Sequence, residues 1–139
     1  MTKDPIQIEL IREFSELSSW EEKYQRIIDL GKALPPLAAE FQIDDLKVKG
    51  CQSQVWLHAR LDENRKVQFQ ADSDALIVKG LVAILLKVYS GRTAKEILEI
   101  EPHFIADLGF ASHLSPSRAN GLVAMVRQMK YYALAFQAL

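Results

Sequence analysis

Val55-Trp56-Leu57-His58-Ala59-Arg60-Leu61, the polar stretch Asp62 to Lys66, and then Val67-Gln68-Phe69-Gln70-Ala71 are the residues whose reading decides the fold. Val55, Leu57, Ala59 and Leu61 alternate with Trp56, His58 and Arg60, and Val67, Phe69 and Ala71 alternate again. A period of two gives a strand with distinct faces, and two such runs around a short polar interval predict a β-hairpin. Sheets of ordinary size then lead to an expectation of about three antiparallel strands.

Helices flank the hairpin on both sides. On the C-terminal side, Ala75 to Tyr89 is the most apolar stretch of the chain, interrupted by Lys79, Gly80 and Lys87. It is too short to span a bilayer and lacks a broad polar face, so it predicts a central buried helix, capped by Ser73 or Asp74 and stopped at Ser90-Gly91. Thr93 with Glu96 predicts a capped short helix. Another runs from Pro102 to Leu108 with Gly109 closing it, and Ser115-Pro116 opens the last helix. Leu122, Met125, Val126, Met129, Tyr132 and Phe136 form that helix's core stripe.

On the N-terminal side, Asp4, Pro5 and Gln7 read as cap, first-turn proline and capping-box partner of a helix carrying Ile6, Leu10, Phe14 and Leu17. Ser19 with Glu22 opens a second helix, striped by Trp20, Tyr24, Ile27 and Ile28 and ending near Lys32 or Ala33 before Leu34-Pro35-Pro36. Ile43 to Lys49 then leads to a Gly50-Cys51 tip. Strands between runs of helices, without βαβ alternation, make the class α+β, and the length of 139 residues fits one domain over residues 1–139.

The formal net charge of −1, with Lys, Arg, Asp and Glu intermixed, provides no basic footprint for nucleic acid and no polybasic patch for a membrane. Protein or small-molecule partners are the expectation. One cysteine makes no intramolecular disulfide and no thiolate cage, and no secretory h-region follows basic residues at the N-terminus, so a reducing cytoplasm is expected.

Cys51 is the candidate site residue. It follows Gly50 and precedes polar Gln52, Ser53 and Gln54, where a thiol reaches solvent and partners, and Lys47 and Lys49 favour a thiolate if they point toward it. The alternative is a passive core filler, since free cysteine behaves as a small hydrophobe. A cysteine hydrolase requires a histidine base, and His58, His103 and His113, the only histidines, carry no nucleophile-base signature. A dithiol redox enzyme requires a resolving cysteine, and a metal scaffold more soft ligands. Carriage of one sulfur atom as a persulfide fits what remains, because no second thiol is present to expel it; a passive cysteine is compatible with the same residues.

Gly50-Cys51-Gln52-Ser53-Gln54-Val55-Trp56 resembles the active-site segment of the SufE family of sulfur acceptors. Trp20-Glu21-Glu22-Lys23-Tyr24 with Leu30-Gly31-Lys32 and Leu34-Pro35, Asp72-Ser73-Asp74 through Ile77-Val78-Lys79-Gly80-Leu81, and Leu114-Ser115-Pro116-Ser117-Arg118 with Gly121-Leu122 resemble further blocks of that family in the same order. The resemblance implies an IscU/SufE-like fold, a curved antiparallel sheet packed against helices, without the scaffold's metal-ligand cysteines. It implies that Cys51 takes sulfur from a cysteine desulfurase of SufS type, stimulates that enzyme and passes the sulfur to an iron-sulfur scaffold complex of SufBCD type. The protein would then be no enzyme itself. The resemblance further implies no cofactor or metal here, the pyridoxal phosphate (PLP) belonging to the desulfurase, and the sequence is compatible with either a monomer or a homodimer.

By the same resemblance Gly50, Gln52, Ser53 and Gln54 shape the loop. Arg118 supplies a positive group near the thiol or the partner surface, or is a solvated helix residue, and Asp74 contacts the partner or caps its helix. Two other readings accompany this one: a binding-only activator whose cysteine carries nothing, and a small cysteine hydrolase.

Overall fold

The computed structural model describes residues 2–139. Helices α1 (Pro5–Ser15) and α2 (Trp20–Lys32) are followed by two 3₁₀ turns, Ala39–Phe41 and Asp44–Leu46. The hairpin comes next, β1 (Val55–Leu61) and β2 (Lys66–Ser73), then α3 (Leu76–Tyr89), a two-residue β3 (Arg92–Thr93), α4 (Ala94–Glu99), α5 (His103–Asp107), α6 (Phe110–His113) and α7 (Pro116–Gln137). The expected α+β class, with a three-stranded antiparallel sheet in the order β1-β2-β3, is what the chain adopts.

The hairpin register pairs Val55 with Ser73 and Leu61 with Val67, so Val55, Leu57, Val67, Phe69 and Ala71 all face one side and are buried. They meet α3, where Leu81, Val82, Ile84, Leu85, Val88 and Tyr89 are each no more than 1% exposed. A helix apolar on nearly every side satisfies itself only at the centre of a domain. Phe14, Ile27, Phe104, Phe110, Leu122 and Met129 close the same continuous core from α1, α2, α5, α6 and α7.

The third strand is not adjacent to the hairpin in sequence. Arg92 and Thr93 pair with Val67 and Lys66 after the chain has travelled the length of α3. The segment leading to Cys51 contributes a single bridge, Lys47 to Trp56, with the Val48 amide donating to the Val55 carbonyl at 2.8 Å.

Helices α2 and α3 cross where two glycines meet. A Cβ on Gly80 falls 2.1 Å from the Ile27 carbonyl oxygen and 2.5 Å from its Cγ2, and a Cβ on Gly31 falls 2.7 Å from the Gly80 nitrogen. Only backbone fits at that crossing.

Some predicted caps differ from those observed. Thr93 and Glu96 form the full capping box. Ser19 accepts from the Glu22 amide, but the Glu22 carboxylate turns to the Ser18 amide and hydroxyl at 3.0 and 2.9 Å instead of closing the box. Asp4 caps nothing with its side chain; its carboxylate is paired to Arg92 at 2.7 Å, both side chains being about nine-tenths buried. Gln7 is fully buried, its amide donating to the Glu101 carbonyl at 2.9 Å and accepting from the Phe104 amide at 3.0 Å. In both cases a tertiary partner outcompetes the local backbone amide, because a buried polar group without a partner costs more than an exposed helix end left to water. The expected cap of α3 by Ser73 or Asp74 is also absent: the cap position is Ala75, without a side-chain bond.

Candidate functional site

Gly50 has φ 94°, in the left-handed region that a β-carbon disfavours. A side chain there would also meet Ala124 Cβ at 3.2 Å, so glycine lets the loop both turn and lie down on α7. The next residue is thereby aimed inward. Cys51 is half-buried, and its Sγ donates to the Gly121 carbonyl oxygen on α7 at 3.7 Å. A Cβ on Gly121 would touch that sulfur at 3.5 Å, so the bare glycine marks the wall the thiol rests against.

The sulfur faces a cavity of about 230 Å³ built from three separated parts of the chain. The loop contributes Cys51, Gln52 and Ser53, α3 contributes Val78 and Leu81 as an apolar floor, and the start of α7 contributes Ser115, Ser117, Arg118, Gly121 and Met125. Burial alone pushes the Cys51 thiol above the ordinary cysteine value. The expected help from Lys47 does not materialise: its ammonium is paired with Asp44 at 3.0 Å. The resting sulfur is therefore a neutral, sheltered thiol.

Of the predicted loop residues, Gln52 and Ser53 line the cavity and Gln54 does not. Gln54 acts through its backbone, its amide donating to the Asp74 carboxylate at 3.0 Å while the Asp74 amide donates to the Gln54 carbonyl at 3.3 Å. Asp74 thus ties the far end of the Cys51 loop to the junction of β2 and α3, in place of the helix cap expected of it. Arg118 is exposed on the cavity rim, where its backbone amide donates to the Ser115 hydroxyl that caps α7.

Asp72, quoted above within a resembling block but given no role, lies outside the cavity lining and holds neighbouring backbone. It is 8% exposed, accepts from the Leu37 and Ser73 amides at 3.2 and 2.8 Å and pairs with Lys79 at 3.3 Å. A carboxylate inside the last residues of an alternating strand is its visible signal. Gly121 and Met125 were also missed, since nothing local distinguishes a helix residue that faces a cavity from one that faces core.

None of the three histidines lines the cavity. His58 stacks on Phe41 at 3.9 Å, His113 stacks on Trp20 at 4.0 Å, and His103 begins α5. A thiol without a base to take its proton is poorly equipped for hydrolysis. Among the described residues, no group of three or more His, Cys, Asp or Glu side chains is placed to hold a metal ion. No helix of the described residues is long and apolar enough to cross a membrane. The arrangement holds one reversible nucleophile against an apolar floor, with room for an added atom and a tethered loop above it.

Known proteins resemble this chain in fold and in sequence. The fold matches a solution structure of a hypothetical protein from Thermus thermophilus with a TM-score of 0.80 at 21% identity, covering 97% of this chain and 98% of that one, a likeness of fold alone. The sequence is 44% identical over 126 residues to SufE-like protein 1, chloroplastic/mitochondrial, of Arabidopsis thaliana. That match takes in 91% of this chain and 34% of the plant protein, so the chain spans about a third of that curated relative's length. Residues 8–133 match the family model SufE, described as Fe-S metabolism associated domain. The chain therefore belongs to the SufE family.

Proposed function

We propose that Cys51 accepts a sulfur atom from a PLP-dependent cysteine desulfurase of SufS type and relays it to an iron-sulfur scaffold complex of SufBCD type, stimulating the desulfurase by relieving it of product. In the transfer, the Cys51 thiolate attacks the terminal sulfur of the desulfurase's cysteine persulfide. The new S–S bond forms as the old one breaks, the desulfurase cysteine leaves as thiolate, and no external oxidant or reductant takes part. The protein is a transfer partner and not an enzyme in its own right, it needs no cofactor of its own, and the cytoplasm is the compartment that suits it.

The observation that carries this reading is the only thiol of the chain, turned by Gly50 into a cavity with an apolar floor. A persulfide there is half-sheltered beneath a loop held by the Gln54–Asp74 bonds. Family membership supports the same reading. A thiol whose ionisation burial opposes fits a carrier that becomes more reactive when a partner draws the loop outward, since exposure removes that opposition.

Intact-mass measurement after incubation with cysteine and the desulfurase tests it. One added sulfur on the wild-type chain is expected, and none on Cys51→Ser, which also fails to stimulate the desulfurase. A Cys51→Ser protein that still gains sulfur would sink the proposal. One that gains none yet stimulates fully would leave a binding-only activator.

A further inference from the structure

We infer that Trp20 and Tyr24 on α2 are positioning residues for the Cys51 cavity, acting through His113 to hold the wall formed by the start of α7. The inference deepens the sulfur-carrier reading and rests on it for its functional meaning, although its geometry stands apart from any sulfur chemistry.

The wall residues Ser115, Ser117 and Arg118 follow a four-residue helix, α6, and an extended connection at Leu114. So short a helix has little stability of its own and needs packing to fix it. Phe110 anchors its start in the core, edge-on to Phe14 of α1 with ring centroids 6.3 Å apart, and α2 holds its other end at His113. The Trp20 ring stacks on the His113 imidazole with centroids 4.0 Å apart and planes 13° from parallel, and the Lys23 ammonium lies 4.9 Å from the Trp20 ring. The Tyr24 hydroxyl donates to the His113 backbone carbonyl, two residues before Ser115. His113 Nδ1 meets the Gly109 carbonyl at 3.1 Å, which closes α6 on itself.

Gly109 is part of the same device. Its φ of 78° turns the chain between α5 and α6, and a Cβ there would lie 3.2 Å from Trp20 and 3.5 Å from His113. One ring face, one hydroxyl and one carbonyl therefore fix His113, and Leu114, buried beside it, delivers Ser115 to cap α7. Since α2 crosses α3 on the glycines Gly31 and Gly80, the clamp fixes the α7 wall and the α3 floor to one common helix. It also gives the Trp20 to Tyr24 segment a role at a cavity it does not touch.

Cys51 is the only thiol, so the pH dependence of its alkylation by iodoacetamide reads cavity closure directly, whether or not it carries sulfur. Tyr24→Phe and Trp20→Ala are each expected to speed alkylation at neutral pH by about threefold or more and to move the apparent thiol ionisation down toward the ordinary cysteine value, while Trp20→Phe, which keeps a stacking face, stays near wild type. Thermal midpoints are recorded alongside. A purely structural clamp lowers the midpoint and leaves the alkylation profile unmoved well below the transition, and that result overturns the inference. If Trp20→Ala does not fold, Tyr24→Phe, which loses one hydroxyl, decides alone. Absence of a sulfur adduct on wild-type Cys51 would defeat the carrier reading without touching this one.

Discussion

Replacing Gly80 by Ala tests the account of how the cavity floor is placed. The added Cβ lands 2.1 Å from the Ile27 carbonyl oxygen, and reaching even a 3.0 Å contact forces α2 and α3 apart by about 0.9 Å. Backbone on one side and a fully buried β-branched side chain on the other leave no flexible end to yield. Overpacking of this kind costs about 3 kcal/mol at the upper end of the usual range. Alanine's better helix propensity returns about 1 kcal/mol. A net loss of about 2 kcal/mol corresponds to a fall of about 8 °C in thermal midpoint for a chain of this size. Far-UV circular dichroism during heating measures it, and Cys51 alkylation at 25 °C provides a second readout because Val78 and Leu81 of the floor flank Gly80. A midpoint equal to or above wild type would refute the reasoning, because propensity would then outweigh a Cβ placed 2.1 Å from a backbone oxygen.

Four other outcomes are expected. Asp74→Ala removes the acceptor of the Gln54 amide and should speed Cys51 alkylation several-fold, about what losing one hydrogen bond of ~1 kcal/mol permits; an unchanged rate would detach Asp74 from loop control. The wild-type alkylation rate should rise with pH through a midpoint above the ordinary cysteine value, because burial favours the neutral thiol. By linkage, the unfolded chain then loses its thiol proton at lower pH than the folded one, so stability should fall as pH rises from the ordinary value toward the native one, and Cys51→Ser should flatten that slope in denaturant titrations. Gln7→Leu strands the Glu101 carbonyl and the Phe104 amide and should destabilise by about 2 kcal/mol, measured by urea unfolding; a neutral result would mean those groups find other partners.

The parts of this fold that were legible in sequence are those where one periodicity reports burial. Alternation from Val55 to Ala71 predicted the hairpin and its buried face, and the unbroken apolarity of Ala75 to Tyr89 predicted the central helix. What escaped were pairings between distant residues that mimic local signals. Asp4 and Gln7 have the spacing of a capping box, yet Arg92, Glu101 and Phe104 claim them. Asp74 stands where a helix cap belongs, yet it holds Gln54. β3 is two residues long and shows no alternation to read. At the site, the Gly50-Cys51 turn was visible because glycine and a lone thiol are conspicuous, whereas the cavity walls come from α3 and α7 and exist only after folding.

The contact between Cys51 and the Gly121 carbonyl has a consequence for timing. A thiol holds that oxygen through its S–H proton. Ionisation removes the proton and leaves two electron-rich atoms facing one another, so one weak contact of the loop, lying beside the Gln54–Asp74 bonds, is lost in the event that makes the sulfur nucleophilic. A partner that draws the loop outward breaks this contact and exposes the sulfur in the same movement, so release of the seat and easier loss of the proton come together.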